Sequence, residues 1–249
     1  MKITFYHWGA QCPIIVEMLE LFHNDWKDTV TCIDFTKRED VALQKQLYYP
    51  FLTVFDDAIP WYGPVNAEIL EAVRNKKLIK EEPFLLSQSN HEARGELIPL
   101  TKDTIQLAGQ GCTLCEQHGQ MEEKAAFLCS CGVSRFGLLH RIDGNVVGGV
   151  EWLPSLKVPY PIPRDAHTAF LTCVYHSSEQ ADYKSWPLKQ LEAELKKSYQ
   201  RILVISDELG TFPNGPMQWF ISRGYRDLGL LQELEGYARL HLMEKVLTI

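Results

Sequence analysis

Several of the seven cysteines of this 249-residue chain stand where their type and spacing could do chemistry. Cys12 precedes Pro13, between an apolar run, Ile3-Thr4-Phe5-Tyr6-His7-Trp8, and an amphipathic segment ending near Trp26. Strand, turn, Cys-Pro and helix is the order that sets a thiol at a helix N-terminus. There the free N–H groups and the helix dipole favour thiolate over thiol. A dithiol oxidoreductase also needs a thiol three positions away to resolve its mixed disulfide. Gly9 and Ile15 occupy those positions. Cys12 therefore reads as a lone reactive or sensing thiol, or as an inert buried cysteine.

A second group, Cys112-Thr113-Leu114-Cys115 and Cys129-Ser130-Cys131, is separated by thirteen residues. Cys-x-x-Cys followed by Cys-x-Cys approaches a four-cysteine zinc pattern, with thiolates closing a tetrahedron and His118 as a substitute ligand. Binding of a softer metal, redox pairing and plain apolar packing are the competing readings of the same four residues.

The elements that would position these groups belong to an ordinary globular protein. Hydrophobic residues make up 45% of the sequence and charged residues 23%, and no stretch has the length and apolarity of a membrane span. A formal charge of −7 without a Lys/Arg-rich run argues against a nucleic-acid partner. The odd cysteine count, with two close pairs and no signal peptide, points to a reducing cytoplasm.

Within the first eighty residues, Thr29–Phe35 reads as a second strand and Arg38–Tyr48 as a second helix. Phe51–Phe55 and Pro60–Gly63 form a hairpin around Asp56-Asp57, and Asn66 caps a helix to about Lys77. This order, with Tyr49-Pro50-Phe51-Leu52-Thr53 opening the third strand, resembles the thioredoxin and glutaredoxin fold. The resemblance implies that Pro50 faces Cys12.

Between Lys76 and Gly95 the composition turns polar, which marks a linker at residues 83–94 between a domain at 1–82 and another at 95–249. The second domain opens with a strand at Leu97–Leu100 and two helices. The strands Phe136–Ile142 and Val146–Leu153 follow, joined at Asp143-Gly144-Asn145, a strong hairpin signal. After a proline-rich crossing come a strand at Ala166–Tyr175, a helix at Pro187–Lys197, a buried strand at Arg201–Ser206, a helix at Gly215–Arg223 and a final strand at Arg239–Val246. This order, together with Gly149–Pro154, Leu171–Tyr175 and Asn214 to Gly224-Tyr225, resembles the GNAT N-acetyltransferases, in particular YoaP-like relatives that carry a thioredoxin-like domain. The fold class expected is therefore α/β (α+β), thioredoxin-like followed by GNAT-like.

That resemblance implies acetyl-CoA as cofactor. Its arm would lie beside Val174 and Tyr175 and near Asn214, and its pyrophosphate would rest on the segment Lys184, Ser185 and Lys189 at a helix N-terminus. The family's glycines are replaced there by Ser185, Pro187 and Lys189, and its tyrosine acid by Phe220. Glu151 becomes the candidate base, with His167 and His176 as substitutes, and both cysteine pairs fall on the helices bordering the acceptor cleft. The expected function is acetyl transfer to a small-molecule amine or thiol, with Cys12 as a second catalytic candidate. The alternative is a non-catalytic metabolite-, metal- or partner-binding protein on a degenerate transferase fold.

Overall fold

The computed structural model describes residues 1–77, 80–86, 89–112, 121–211 and 213–247, and the chain divides into two compact units. The first comprises Met1–Pro83 with Pro159–Pro161, and the second the rest.

In the first unit, β1 (Ile3–His7) is buried along its whole length, as a central strand covered on both faces is. It lies parallel to β2 (Val30–Asp34) and antiparallel to β3 (Phe51–Phe55), which pairs with β4 (Ile59–Trp61); the sheet order is β2-β1-β3-β4. The β3–β4 turn puts Asp56 and Asp57 at φ 49° and 58°, the left-handed conformation a tight hairpin requires. Helix α1 (Pro13–Asp25) starts on Cys12 as N-cap with Pro13 in its first turn, and buries Ile14, Ile15, Met18 and Phe22. Helix α2 is shorter than expected, Glu39–Lys45. Helix α3 (Ala67–Arg74) is capped by Asn66, whose Oδ1 accepts from the Ile69 amide at 2.9 Å.

The second unit is a seven-stranded sheet, β10-β11-β9-β8-β7-β6-β5. Its strands are β5 (Glu96–Thr101), β6 (Arg135–Ile142), β7 (Asn145–Pro154), β8 (Thr168–His176), β9 (Arg201–Asp207), β10 (Arg226–Leu234) and β11 (Ala238–Val246). The described helices are α4 (Glu122–Ser130), α5 (Ser185–Leu195) and α6 (Met217–Ile221), with a 3-10 segment at Ile105–Gly111 where a helix was expected. Asp143 and Gly144, at φ 49° and 83°, make the tight β6–β7 turn.

Leu138, Val150, Leu171, Val174, Ile202, Val204 and Met243 from the sheet meet Leu188 and Leu191 of α5 and Trp219 and Phe220 of α6 in one core. Strand β10 carries no clear signal in the sequence. It is an exposed edge strand, with Gly229 at φ 121° and irregular pairing on either side of Leu230, so it carries little apolar alternation. Among the described residues, no helix is long and apolar enough to cross a membrane.

Candidate functional site

The site of the second unit is built on the sheet's single parallel pair. Strands β8 and β9 are bonded only where Thr168–Phe170 faces Arg201–Leu203, although both run on, to His176 and Asp207. Beyond that contact they part at their carboxyl ends, the place where open α/β sheets form a crevice. The chain's own segment after β9 lines the gap: the Asn214 Nδ2 donates to the Ile205 carbonyl at 2.9 Å and the Ser206 hydroxyl to the Gly215 carbonyl at 2.7 Å. On the β8 side, the Cys173 thiol points to the Pro213 carbonyl at 3.9 Å.

Helix α5 begins beside this gap, and its first turn is already capped. Asp182 accepts hydrogen bonds from the amides of Lys184 (3.1 Å) and Ser185 (3.0 Å), from the Ser185 hydroxyl (2.5 Å) and from the Trp219 indole (3.2 Å). Arg223 adds an ion pair to the same carboxylate and a hydrogen bond to the Ser185 hydroxyl. Burial pushes the Asp182 carboxyl up, but the donors around it outweigh this and hold it below its usual range. The protein's own carboxylate thus takes the amides of the N-cap residue Lys184 and of Ser185, the first residue of α5, with the Ser185 hydroxyl as a further donor. The Asp-x-x-Ser spacing before an apolar helix is the signal that identifies it.

Lys184 does not offer its charge to a phosphate on the surface. It is 1% exposed, its Nζ has no hydrogen-bond partner, and it stands 4.5 Å over the ring of Trp219. Burial, with Asp182 opposing and Arg223 reinforcing it, lowers its pKa to about 7. Nothing in the sequence distinguishes it from a surface lysine in a polar loop. Lys189 instead lines a cavity of about 590 Å³ on the flank of α5, together with Ser185, Glu192, Ser222, Arg223 and Lys245. The Lys245 ammonium is paired with Glu192 at 2.5 Å.

Glu151 was expected at a strand end facing the cleft. It lies within β7, 1% exposed, with its Oε1 2.8 Å from the Lys124 ammonium of α4. The carboxylate is thus engaged inside the fold by the Lys124 ammonium rather than standing at a strand end. Val174 is a core side chain. Tyr175 crosses Gly149, where an added Cβ would lie 2.6 Å from the phenol oxygen. Asn214 holds the strand β9 backbone through its Nδ2, while its buried Oδ1 has no hydrogen-bond partner. Phe220 packs edge-on against Trp219 and Tyr225.

His176 is buried, and its Nδ1 lies 2.7 Å from the Ser178 carbonyl, which places the proton there and leaves Nε2 as an acceptor. Burial, joined by the charge of Lys184, lowers its pKa and keeps the ring neutral. His167 is exposed at the start of β8.

In the first unit, Cys12 is the helix N-cap as expected but only 6% exposed. Tyr160 is also buried there, edge-on to Trp8 at 5.1 Å. Its phenol pKa is pushed far up by burial and by the neighbouring Cys12. The Pro50 carbonyl accepts from the Trp8 amide at 2.9 Å, directly ahead of β3.

The four-cysteine reading is only partly open to view, because Cys115 and His118 lie outside the described residues. Cys112 and Cys131 are buried at the ends of their helical segments, whereas Cys129 is exposed. Among the described residues, no group of three or more His, Cys, Asp or Glu side chains gathers as metal ligands would.

No protein-family model matches the chain, and no curated protein matches its sequence. Solved structures that it resembles include N-acetyltransferases. An aminoglycoside 6'-acetyltransferase type Ii is 15% identical with a TM-score of 0.47, over 62% of this chain and 99% of that one. An aminoglycoside 6'-N-acetyltransferase complexed with coenzyme A is 13% identical with a TM-score of 0.45, over 62% and 98%. A ribosomal-protein-alanine N-acetyltransferase from Brucella melitensis is 16% identical with a TM-score of 0.43, over 61% and 99%. At these identities and TM-scores none of their chemistry transfers to this chain.

Proposed function

We propose that the second unit, Phe84–Val158 with Ile162–Ile249, is an acetyl-CoA-dependent N-acyltransferase unit acting on a small amine or thiol. The observation that carries this reading is the parting of β8 and β9 beyond Thr168–Phe170 and Arg201–Leu203, with α5 starting beside the gap. Such a crevice at strand carboxyl ends admits an extended arm. We set the cofactor's phosphates on the flank of α5, where Lys189 lines a cavity with Arg223 and Lys245, which are paired with Asp182 and Glu192, and with Glu92, rather than on the amides that Asp182 occupies. Bound there, acetyl-CoA supplies an activated acyl thioester. Of the residues present, neutral His176, with its Nε2 lone pair, has the chemistry to take the acceptor's proton, whereas the Glu151 carboxylate is engaged by Lys124.

A second reading is favoured by two specific observations, the Asp182 carboxylate on the α5 amides and the Lys124–Glu151 pair. It takes the unit as a non-catalytic binding protein on the same fold. We assign residues 1–83 the role of an accessory thioredoxin-like unit with the single thiol Cys12, supported by the sheet order β2-β1-β3-β4 and the Cys-Pro start of α1. A cytoplasmic setting accompanies both readings.

Calorimetry with acetyl-CoA separates the two. The transferase reading expects binding that weakens at least tenfold, about 1.4 kcal/mol, in Lys189→Glu, which reverses one charge of the cavity. No binding by the unaltered protein, or binding indifferent to the swap, favours the second reading.

A further inference from the structure

Lys184 is a buried amine whose Nζ has no hydrogen-bond partner. A buried polar atom without a partner requires an explanation, because it forfeits the hydration it had in the unfolded chain. Its Nζ has no hydrogen-bond partner, and the side chain is 1% exposed. The groups around it come from three elements: Asp182 from the preceding loop, Arg223 beyond α6, and Cys173 and His176 from β8. The ring of Trp219, on α6, faces the ammonium at 4.5 Å. Asp182 does not neutralise the amine by contact, since its carboxylate is committed to the Lys184 and Ser185 amides, the Ser185 hydroxyl, Trp219 and Arg223. Cys173, on the half of β8 that has parted from β9, is one of the groups whose charge the amine feels, which sets Lys184 beside that half of the strand.

We propose that Lys184 is an acyl-acceptor site, its side-chain amine taking the acyl group of a thioester so that this unit acylates itself. The inference rests on the acyl-thioester reading of the gap. In the step, the neutral Nζ attacks the thioester carbonyl carbon; the C–N bond forms as the C–S bond breaks. The proton shed by nitrogen leaves with the thiolate as free thiol, and no electrons are exchanged with a further reactant. The product is a neutral amide where a buried cation stood. With a pKa of about 7, roughly half of the amine is neutral at pH 7, against about one in a thousand or fewer for an ordinary lysine.

The full-length protein is incubated with acetyl-CoA and, separately, with the acetyl thioester of N-acetylcysteamine, which has no phosphates. Intact mass and peptide mapping follow the label at pH 6, 7 and 8.5. The expected result is one acetyl group on Lys184, at least tenfold faster at pH 7 than on exposed Lys2, and rising steeply between pH 6 and 7. Labelling of Lys184 no faster than Lys2 by either thioester overturns the inference. Acetyl-CoA binding in the calorimeter without Lys184 label from either reagent overturns it and leaves the acyl-CoA reading standing. Label from the small thioester alone upholds Lys184 and removes acetyl-CoA as the donor.

Discussion

The Lys124 ammonium on α4 and the Glu151 carboxylate on β7 meet at 2.8 Å with both side chains almost entirely out of water. Glu151 Oε2 has no hydrogen-bond partner of its own, so the pair is an incompletely satisfied buried charge cluster. Removing one member of such a pair leaves the other uncompensated, which costs about 3–5 kcal/mol, whereas replacing both by apolar side chains is close to neutral. Glu151→Leu is therefore expected to lower stability in urea unfolding by about 3 kcal/mol, and Lys124→Met with Glu151→Leu to recover most of it. A double variant no more stable than Glu151→Leu alone would show that the two residues are not energetically coupled.

Asp182 ties the β8–α5 loop to the start of α5, to Trp219 and to Arg223. Hydrogen bonds to a charged acceptor each contribute about 1.5–3 kcal/mol, and those converging on one carboxylate are not additive. Asp182→Ala is expected to cost on the order of 3 kcal/mol. The carboxyl titrates below its unfolded value, so its contribution is present above about pH 4 and fades as pH falls through the lowered folded value. Asp182→Asn should thus show a shallower loss of stability between pH 4 and 2 than the unaltered protein, measured by denaturant midpoint at each pH.

The thiols should separate by exposure in the native protein. Cys129 is exposed, while Cys12 and Cys131 are each 6% exposed and Cys112 is 9% exposed. Alkylation with iodoacetamide followed by peptide mapping is expected to label Cys129 first, with Cys12 at least tenfold slower. Cys12 reacting as fast as Cys129 would restore the case for an activated, accessible thiol at the start of α1.

The parts of this fold that can be read from the sequence are those fixed by neighbours along the chain. The two tight hairpins announce themselves as Asp56-Asp57 and Asp143-Gly144, and Asn66 and Cys12-Pro13 mark helix starts, because turn and cap chemistry is local. The site is different. Glu151 meets Lys124 from 27 residues earlier, and Lys184 lies over Trp219 from 35 residues later, contacts that no periodicity encodes. A polar loop residue that turns inward looks the same in sequence as one that faces water. Strand β10 escapes notice for the opposite reason, since an exposed edge strand has no buried face to impose alternation.

Lys184 should also shape the alkaline limb of the stability curve. Its pKa falls from 10.5 to about 7 on folding. Below pH 7 the lysine is charged in both states, and the full cost of burying the cation is present. Between pH 7 and 10.5 the unfolded chain holds a proton that the folded chain has lost, so stability rises with pH across that window. At 1.36 kcal/mol per unit the whole gain is on the order of 5 kcal/mol, superimposed on the titrations of other groups. The difference between parent and Lys184→Met isolates it. The variant replaces a buried cation by an apolar chain of similar length, and is expected to be more stable than the parent by a few kcal/mol at pH 6. That advantage should shrink steadily by pH 8 and largely vanish by pH 10, as urea unfolding at the three pH values would show. A difference that stays constant from pH 6 to pH 10 would mean that Lys184 keeps its proton in the fold, and the neutral amine required for acyl transfer would then be lacking.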